Sequence, residues 1–141
     1  GRSIIGPSGV ALYRVGAVKD IPGVRKFISV DGGMGDNIRP ALYQAEYEVI
    51  AANKALREPV EKVTVAGKYC ESGDLLASDI MLPEIESGDL LAIPAAGAYC
   101  PSMASNYNHN PRPPMVLVAD GQSRLIRRRE SYQDLMHCDL P

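Results

Sequence analysis

Lys26-Phe27-Ile28-Ser29-Val30-Asp31-Gly32-Gly33 is a run of β-branched and aromatic residues that stops on two glycines. Such a run, bounded by residues that break extended structure, reads as a β-strand. Immediately upstream, Ile21-Pro22-Gly23 is a turn, and Val10 to Val18 is a second strand. The stretch before that, from Ser3, is interrupted by Gly6, Pro7 and Gly9, so it is irregular or a short helix. Downstream, Glu46 to Ala52 and Glu61 to Ala66 are further strands, the latter alternating through Val63 and Val65. Gly73-Asp74-Leu75-Leu76 and Gly88-Asp89-Leu90-Leu91 echo each other as two turn-plus-strand units. Met115 to Val118 and Ser123 to Arg128 flank Asp120-Gly121, a strong hairpin turn. Only Arg39 to Tyr43, Pro101 to Tyr107 and Tyr132 to His137 look helical, and all three are short. With no interior linker, residues 1–141 read as a single, mainly β domain.

Length and composition agree with this. A chain of 141 residues fits one domain, and a hydrophobic share of 45% excludes a disordered tail. Thirteen glycines and eleven prolines favour short strands joined by turns. The net charge of −2 provides no basic field for nucleic acid or an anionic membrane. The longest apolar stretch, Leu90 to Cys100, is broken by Pro94 and Gly97, well short of the roughly 18 residues that cross a bilayer. Three cysteines at no metal spacing point away from a disulfide framework and towards a reducing, cytoplasmic setting. His137-Cys138 lacks partners for zinc, so no metal is expected. Arg127-Arg128-Arg129 reads as a solvated strand end, and Pro111-Arg112-Pro113-Pro114 as a loop. The chain opens on Gly1 without Met or a basic-then-apolar leader, and is expected to be a piece of a longer polypeptide.

Three constellations carry candidate chemistry. In Asp31 to Tyr43, glycines follow a strand and Pro40 suits the first turn of a short helix. Arg39 and Tyr43, four residues apart, then share a face, and an Arg fork beside a phenol can receive a carboxylate; a tight turn with two solvated side chains is the blander reading. In Gly67 to Asp74, Cys70 enters a turn beside Glu71 and Asp74, polar company that is odd for a core cysteine. Neighbouring carboxylates favour the neutral thiol, so Cys70 suits a proton donor better than a nucleophile. In Pro94 to Met103, small residues permit close backbone approach, and Tyr99 heads a short helix whose N-terminus faces either an anion or a packed neighbour.

Together these motifs resemble the C-terminal domain of the diaminopimelate decarboxylase family, fold-type III pyridoxal-phosphate enzymes. The resemblance rests on Gly1-Arg2-Ser3-Ile4, Asp31 to Tyr43, Cys70 to Asp74, Gly88 to Met103 and Arg129 to Leu135, in the family's order and over nearly the whole chain. It implies a Greek-key-like β-barrel domain with a few short helices, following an N-terminal TIM barrel of which residues 1–11 are the tail. It implies a carboxy-lyase that uses pyridoxal 5'-phosphate to convert meso-2,6-diaminopimelate to L-lysine and CO2. By the same resemblance Gly1, Arg2 and Tyr99 meet the cofactor, and Arg2, Arg39, Tyr43, Glu71 and Tyr99 hold the substrate. Cys70 is the proton donor, given across a homodimer interface to the partner's site. The Schiff-base lysine belongs to the TIM barrel, so this chain alone is expected to be inactive, and the absence of the strand that the enzyme's own N-terminus adds to the family's barrel is expected to leave an open, self-pairing sheet edge. Two cations and an anion suit a substrate end bearing carboxylate and ammonium, whereas the ornithine enzymes usually carry Asp where this chain has Glu71. An ornithine- or arginine-type decarboxylase domain and a non-catalytic binding module of the same fold are the alternatives.

Overall fold

A computed structural model describes residues 1–140. Eight strands dominate: β1 (Ala11–Ile21), β2 (Arg25–Val30), β3 (Ile50–Ala51), β4 (Glu61–Ala66), β5 (Leu75–Leu82), β6 (Leu90–Ile93), β7 (Met115–Ala119) and β8 (Gln122–Arg127). The helices are short: α1 (Arg2–Ile5), α2 (Arg39–Tyr43), α3 (Cys100–Met103) and α4 (Tyr132–Leu135). Six strands form one sheet in the order β3-β6-β1-β2-β4-β5, curled into a half-barrel, and β7-β8 form a separate hairpin. The mainly β, barrel-like expectation is borne out.

Period-two patterning sets the core. Tyr13 and Val15 of β1 and Ile28 and Val30 of β2 point inward and meet Val63, Val65, Leu76, Leu82, Leu91 and Ile93 in one cluster. Fully burying a residue such as Ile28 or Leu91 is worth about 1.5–3 kcal/mol relative to exposure, which pins the register of each strand. The turn between β1 and β2 relies on Gly23 at φ +73°, and the β7-β8 turn on Asp120 and Gly121, both left-handed. That hairpin buries little: Val118 is 70% and Leu125 58% exposed.

Two expectations need correction. The strand expected over Glu46 to Ala52 shrinks to Ile50–Ala51, because β6 offers ladder partners only at Ala92 and Leu91. Gln44, left-handed at φ 54°, instead turns the chain off α2, and Tyr47 faces inward. The helix expected over Pro101 to Tyr107 ends at Met103, since Ala104 is extended, and Tyr107 starts a separate 3-10 turn.

Pairing direction positions the site. β2 and β4 are parallel, while β1 is antiparallel to both β2 and β6. β2, β4 and β6 therefore all run the same way, and the segments following them leave the sheet at one end. The segment preceding β1 enters there too.

Candidate active site

Each of the three constellations follows one of these co-directional strands, and they are bound together where they emerge. Asp74, only 2% exposed, is the central tie. Its Oδ1 accepts the Met34 amide at 2.6 Å and its Oδ2 the Tyr69 amide at 2.9 Å. A side chain on Gly33 or Gly67 would run into that carboxylate, so both glycines are there for its close approach. Burial raises the Asp74 carboxyl above its ordinary range in spite of the two amide donors. Lys68 N–H donates to the Gly32 carbonyl and Ser105 N–H to the Gly35 carbonyl, closing the loop from both sides. The Tyr69 hydroxyl packs against Gly35. Asp74, read from the sequence as part of the reactive group around Cys70, is in the structure a clamp between two loops.

On one side of this frame lies Arg39. Pro40 presets the first turn of α2, and the Asn37 Oδ1 accepts the Arg39 amide at 3.3 Å. The Arg39 Nη1 donates to the Tyr47 hydroxyl at 2.7 Å, and the guanidinium lies 5.5 Å from the Tyr99 ring centre and 5.8 Å from that of Tyr47. The Tyr47 hydroxyl is also 3.6 Å from the buried Cys100 thiol. Burial first, then the Cys100 contact, pushes the Tyr47 phenol up. Arg39 has no carboxylate partner among the described residues. Tyr43, expected beside it, is exposed and joins none of these contacts. Tyr47 carried no sequence signal, lying inside a run read as a strand.

On the other side, the exposed Cys70 thiol faces the Glu71 Oε1 at 3.5 Å, and the Tyr107 hydroxyl donates to the same oxygen at 2.6 Å. The Tyr107 bond draws the Glu71 carboxyl below its usual range. Tyr107 in turn sits edge-on to Tyr69, ring centres 5.5 Å apart. The other carboxylate oxygen, Glu71 Oε2, is covered by the protein and meets no cation and no hydrogen-bond donor in good geometry among the described residues. An acceptor left bare in this way fits a cationic guest.

The small-residue stretch packs on the chain's own start. A Cβ on Gly97 would collide with the Ile5 carbonyl, and Gly97 N–H donates to the Gly6 carbonyl at 3.1 Å. This seats α1 beside Ala98 and Tyr99. Tyr99 caps α3 with φ 69° and ψ −38°, a positive-φ conformation uncommon for a large residue, and is half exposed. Gly1 and Arg2 head α1 at the surface, and Arg2 has no carboxylate partner among the described residues. No cluster of three His, Cys, Asp or Glu positioned for a metal ion occurs among the described residues. Nor is any described helix long and apolar enough to cross a membrane.

The sheet thus gathers an unopposed guanidinium, a carboxylate oxygen without a partner and a thiol at one end. Residues 5–97 match the pyridoxal-dependent decarboxylase C-terminal sheet domain, and the chain belongs to that family. A diaminopimelate decarboxylase of Bacillus subtilis is 55% identical over 141 residues, covering 100% of this chain and 32% of that protein. The crystal structure of diaminopimelate decarboxylase from M. jannaschii aligns with TM-score 0.93 at 42% identity, covering 100% of this chain and 32% of that one, and an equally similar structure is its complex with L-lysine. A lysine/ornithine decarboxylase from Vibrio vulnificus, at TM-score 0.67 and 24% identity over 77% of this chain and 29% of its own, shares the fold. This chain thus spans 32% of the length of the Bacillus relative.

Proposed function

We propose that this chain is the substrate-facing domain of a diaminopimelate decarboxylase, releasing CO2 from meso-2,6-diaminopimelate to leave L-lysine. The observation that carries the reading is the unopposed pair, Arg39 without a carboxylate and Glu71 with a bare Oε2, in a chain similar to diaminopimelate decarboxylases along its whole length. Arg39 binds a substrate carboxylate, with Arg2, Tyr43 and Tyr99 completing the pocket, and Glu71, in contact with the Cys70 thiol, binds a substrate ammonium in whichever subunit's site Cys70 serves. An amino acid whose far end bears both groups suits this better than ornithine, whose far end is an amine alone.

Pyridoxal phosphate, when bound, supplies the electron sink that decarboxylation needs. Gly1 and Arg2, with backbone N–H groups at the start of α1 and an unpaired guanidinium, suit its phosphate, and Tyr99 its flank. The lysine whose amine joins the cofactor's aldehyde lies in an N-terminal TIM barrel of which residues 1–11 are the tail. In support, Lys26, Lys54 and Lys62 are held in ion pairs here. Cys70 delivers the proton that replaces the departing carboxyl group. Its sulfur lies at the surface, which suits donation into the site of a second subunit in a cytoplasmic homodimer. The exposed apolar residues of α1 and of the β7-β8 hairpin, among them Ile4 and Val118, are the surfaces such neighbours would cover.

The test is CO2 release by the full-length enzyme containing this chain, offered meso-diaminopimelate, ornithine and arginine in turn. Turnover of diaminopimelate alone, falling about 10²–10⁴-fold in Cys70→Ala, is the expected result. A folded, cofactor-loaded enzyme that leaves all three untouched would show a binding module instead.

A further inference from the structure

Arg39 is held at both ends of its side chain. Asn37 fixes its backbone amide, the Tyr47 hydroxyl takes its Nη1, and the rings of Tyr47 and Tyr99 lie within 6 Å of the guanidinium. A guanidinium has five N–H donors in a rigid plane. With Nη1 engaged by Tyr47, the edge formed by Nε and Nη2 remains, and that edge matches the two oxygens of a carboxylate. Tyr47 itself is held by the Cys100 sulfur on its far side, and Cys100 is buried at the start of α3. The hydroxyl is therefore fixed by α3 while it aims a side chain from α2, and the two loops share one bond network.

We propose that Tyr47 is a positioning residue that turns the Nε–Nη2 edge of Arg39 towards the substrate's retained carboxylate, and so sets preference for carboxylate-bearing ligands at that end. This rests on the reading that Arg39 binds substrate. Tyr47 touches neither the reacting atoms nor Cys70. Its effect falls on binding of one carboxylate and not on proton delivery.

The experiment compares wild type and Tyr47→Phe in the full-length enzyme. The ring, and with it the packing, stays in the variant; only the hydroxyl is lost. KM for meso-diaminopimelate and the inhibition constant of L-lysine should each rise about tenfold, the equivalent of one lost hydrogen bond to a charged group. Inhibition by 1,5-diaminopentane, which has no carboxylate, should stay the same, and kcat should move far less than KM. A second readout needs no turnover: phenylglyoxal labelling of Arg39, followed by peptide mass spectrometry, should quicken in the variant while labelling of Arg14 does not. Equal weakening of L-lysine and 1,5-diaminopentane, a fall confined to kcat, or unchanged labelling of Arg39 would each overturn the proposal. A wild-type enzyme inert towards diaminopimelate would overturn the substrate reading instead, and the labelling comparison would still decide whether Tyr47 restrains Arg39.

Discussion

Replacing Asp74 by alanine removes the acceptor for two amides, those of Met34 and Tyr69, at a site 2% exposed. Neither amide has another acceptor among the described residues, and an N–H left facing the buried Asp74 site without a partner costs about 1–3 kcal/mol. The two together give about 4 kcal/mol, a large part of the roughly 5–15 kcal/mol that holds a domain folded. With a urea slope of about 2 kcal/mol/M, the unfolding midpoint of the chain should fall by about 2 M. Asp74→Asn keeps one oxygen but sets an NH2 group against the other amide, so it should fall between wild type and alanine. Circular dichroism gives the midpoints, and amide hydrogen exchange at Met34 and Tyr69 reports the local event. A midpoint shift under about 0.5 M for Asp74→Ala, or undiminished protection of both amides, would refute the clamp.

Gly97→Ala should detach α1 from the 94–98 loop, because its methyl group would fall on the Ile5 carbonyl, a backbone atom that cannot swing aside; limited proteolysis near Ile5 should speed up several-fold, and unchanged cleavage would speak against the seating. The Glu130 carboxylate, held down to about 2 from its ordinary 4.5 chiefly by Arg112, fastens residues 106–112 to the segment after β8. A carboxylate whose folded value is depressed stabilises above its unfolded value, and that contribution is lost as pH falls through the folded one. The thermal midpoint of wild type should therefore exceed that of Glu130→Gln at pH 6, with the gap closing between about pH 4.5 and pH 2; a gap independent of pH would contradict this.

Local chemistry made much of the fold legible. Pro40 marked the start of α2, Asp120-Gly121 the β7-β8 turn, and Val63 with Val65 the inward face of β4. What stayed hidden depended on partners far away in the chain. The parallel pairing of Lys26–Ser29 with Val63–Ala66 leaves no local mark, and without it nothing shows that the glycine loop and the Cys70 turn leave the sheet side by side. Tyr47 was hidden for a similar reason: its hydroxyl meets Cys100, 53 positions on, while its neighbours look like a strand. The repeated Gly-Asp-Leu-Leu places a buried Asp at the head of β5 and of β6, each accepting a backbone amide from the loop before it: Tyr69 for Asp74 and Glu86 for Asp89. The echo marks one loop-closing device used twice, which is why Asp74 belongs to the frame and not to the chemistry.

The opposite end of the sheet shows why the chemistry is assigned where it is. A cleft there is lined by the charged residues Asp20, Arg25, Lys26, Lys62 and Asp79. Arg25 and Lys62 both lie against Asp79, and Lys26 against Glu61 at 2.6 Å, so those cations are already answered by the protein's own carboxylates. A ligand would have to displace those carboxylates to bind there. At the end where β2, β4 and β6 finish, the relation is reversed: Arg39 is steadied by neutral phenols, and Glu71 Oε2 meets no cation. Neutral donors and rings can hold a charged side chain in place without satisfying its charge. That leaves attraction available to an incoming carboxylate and ammonium, and it distinguishes a binding site from a surface ion-pair network.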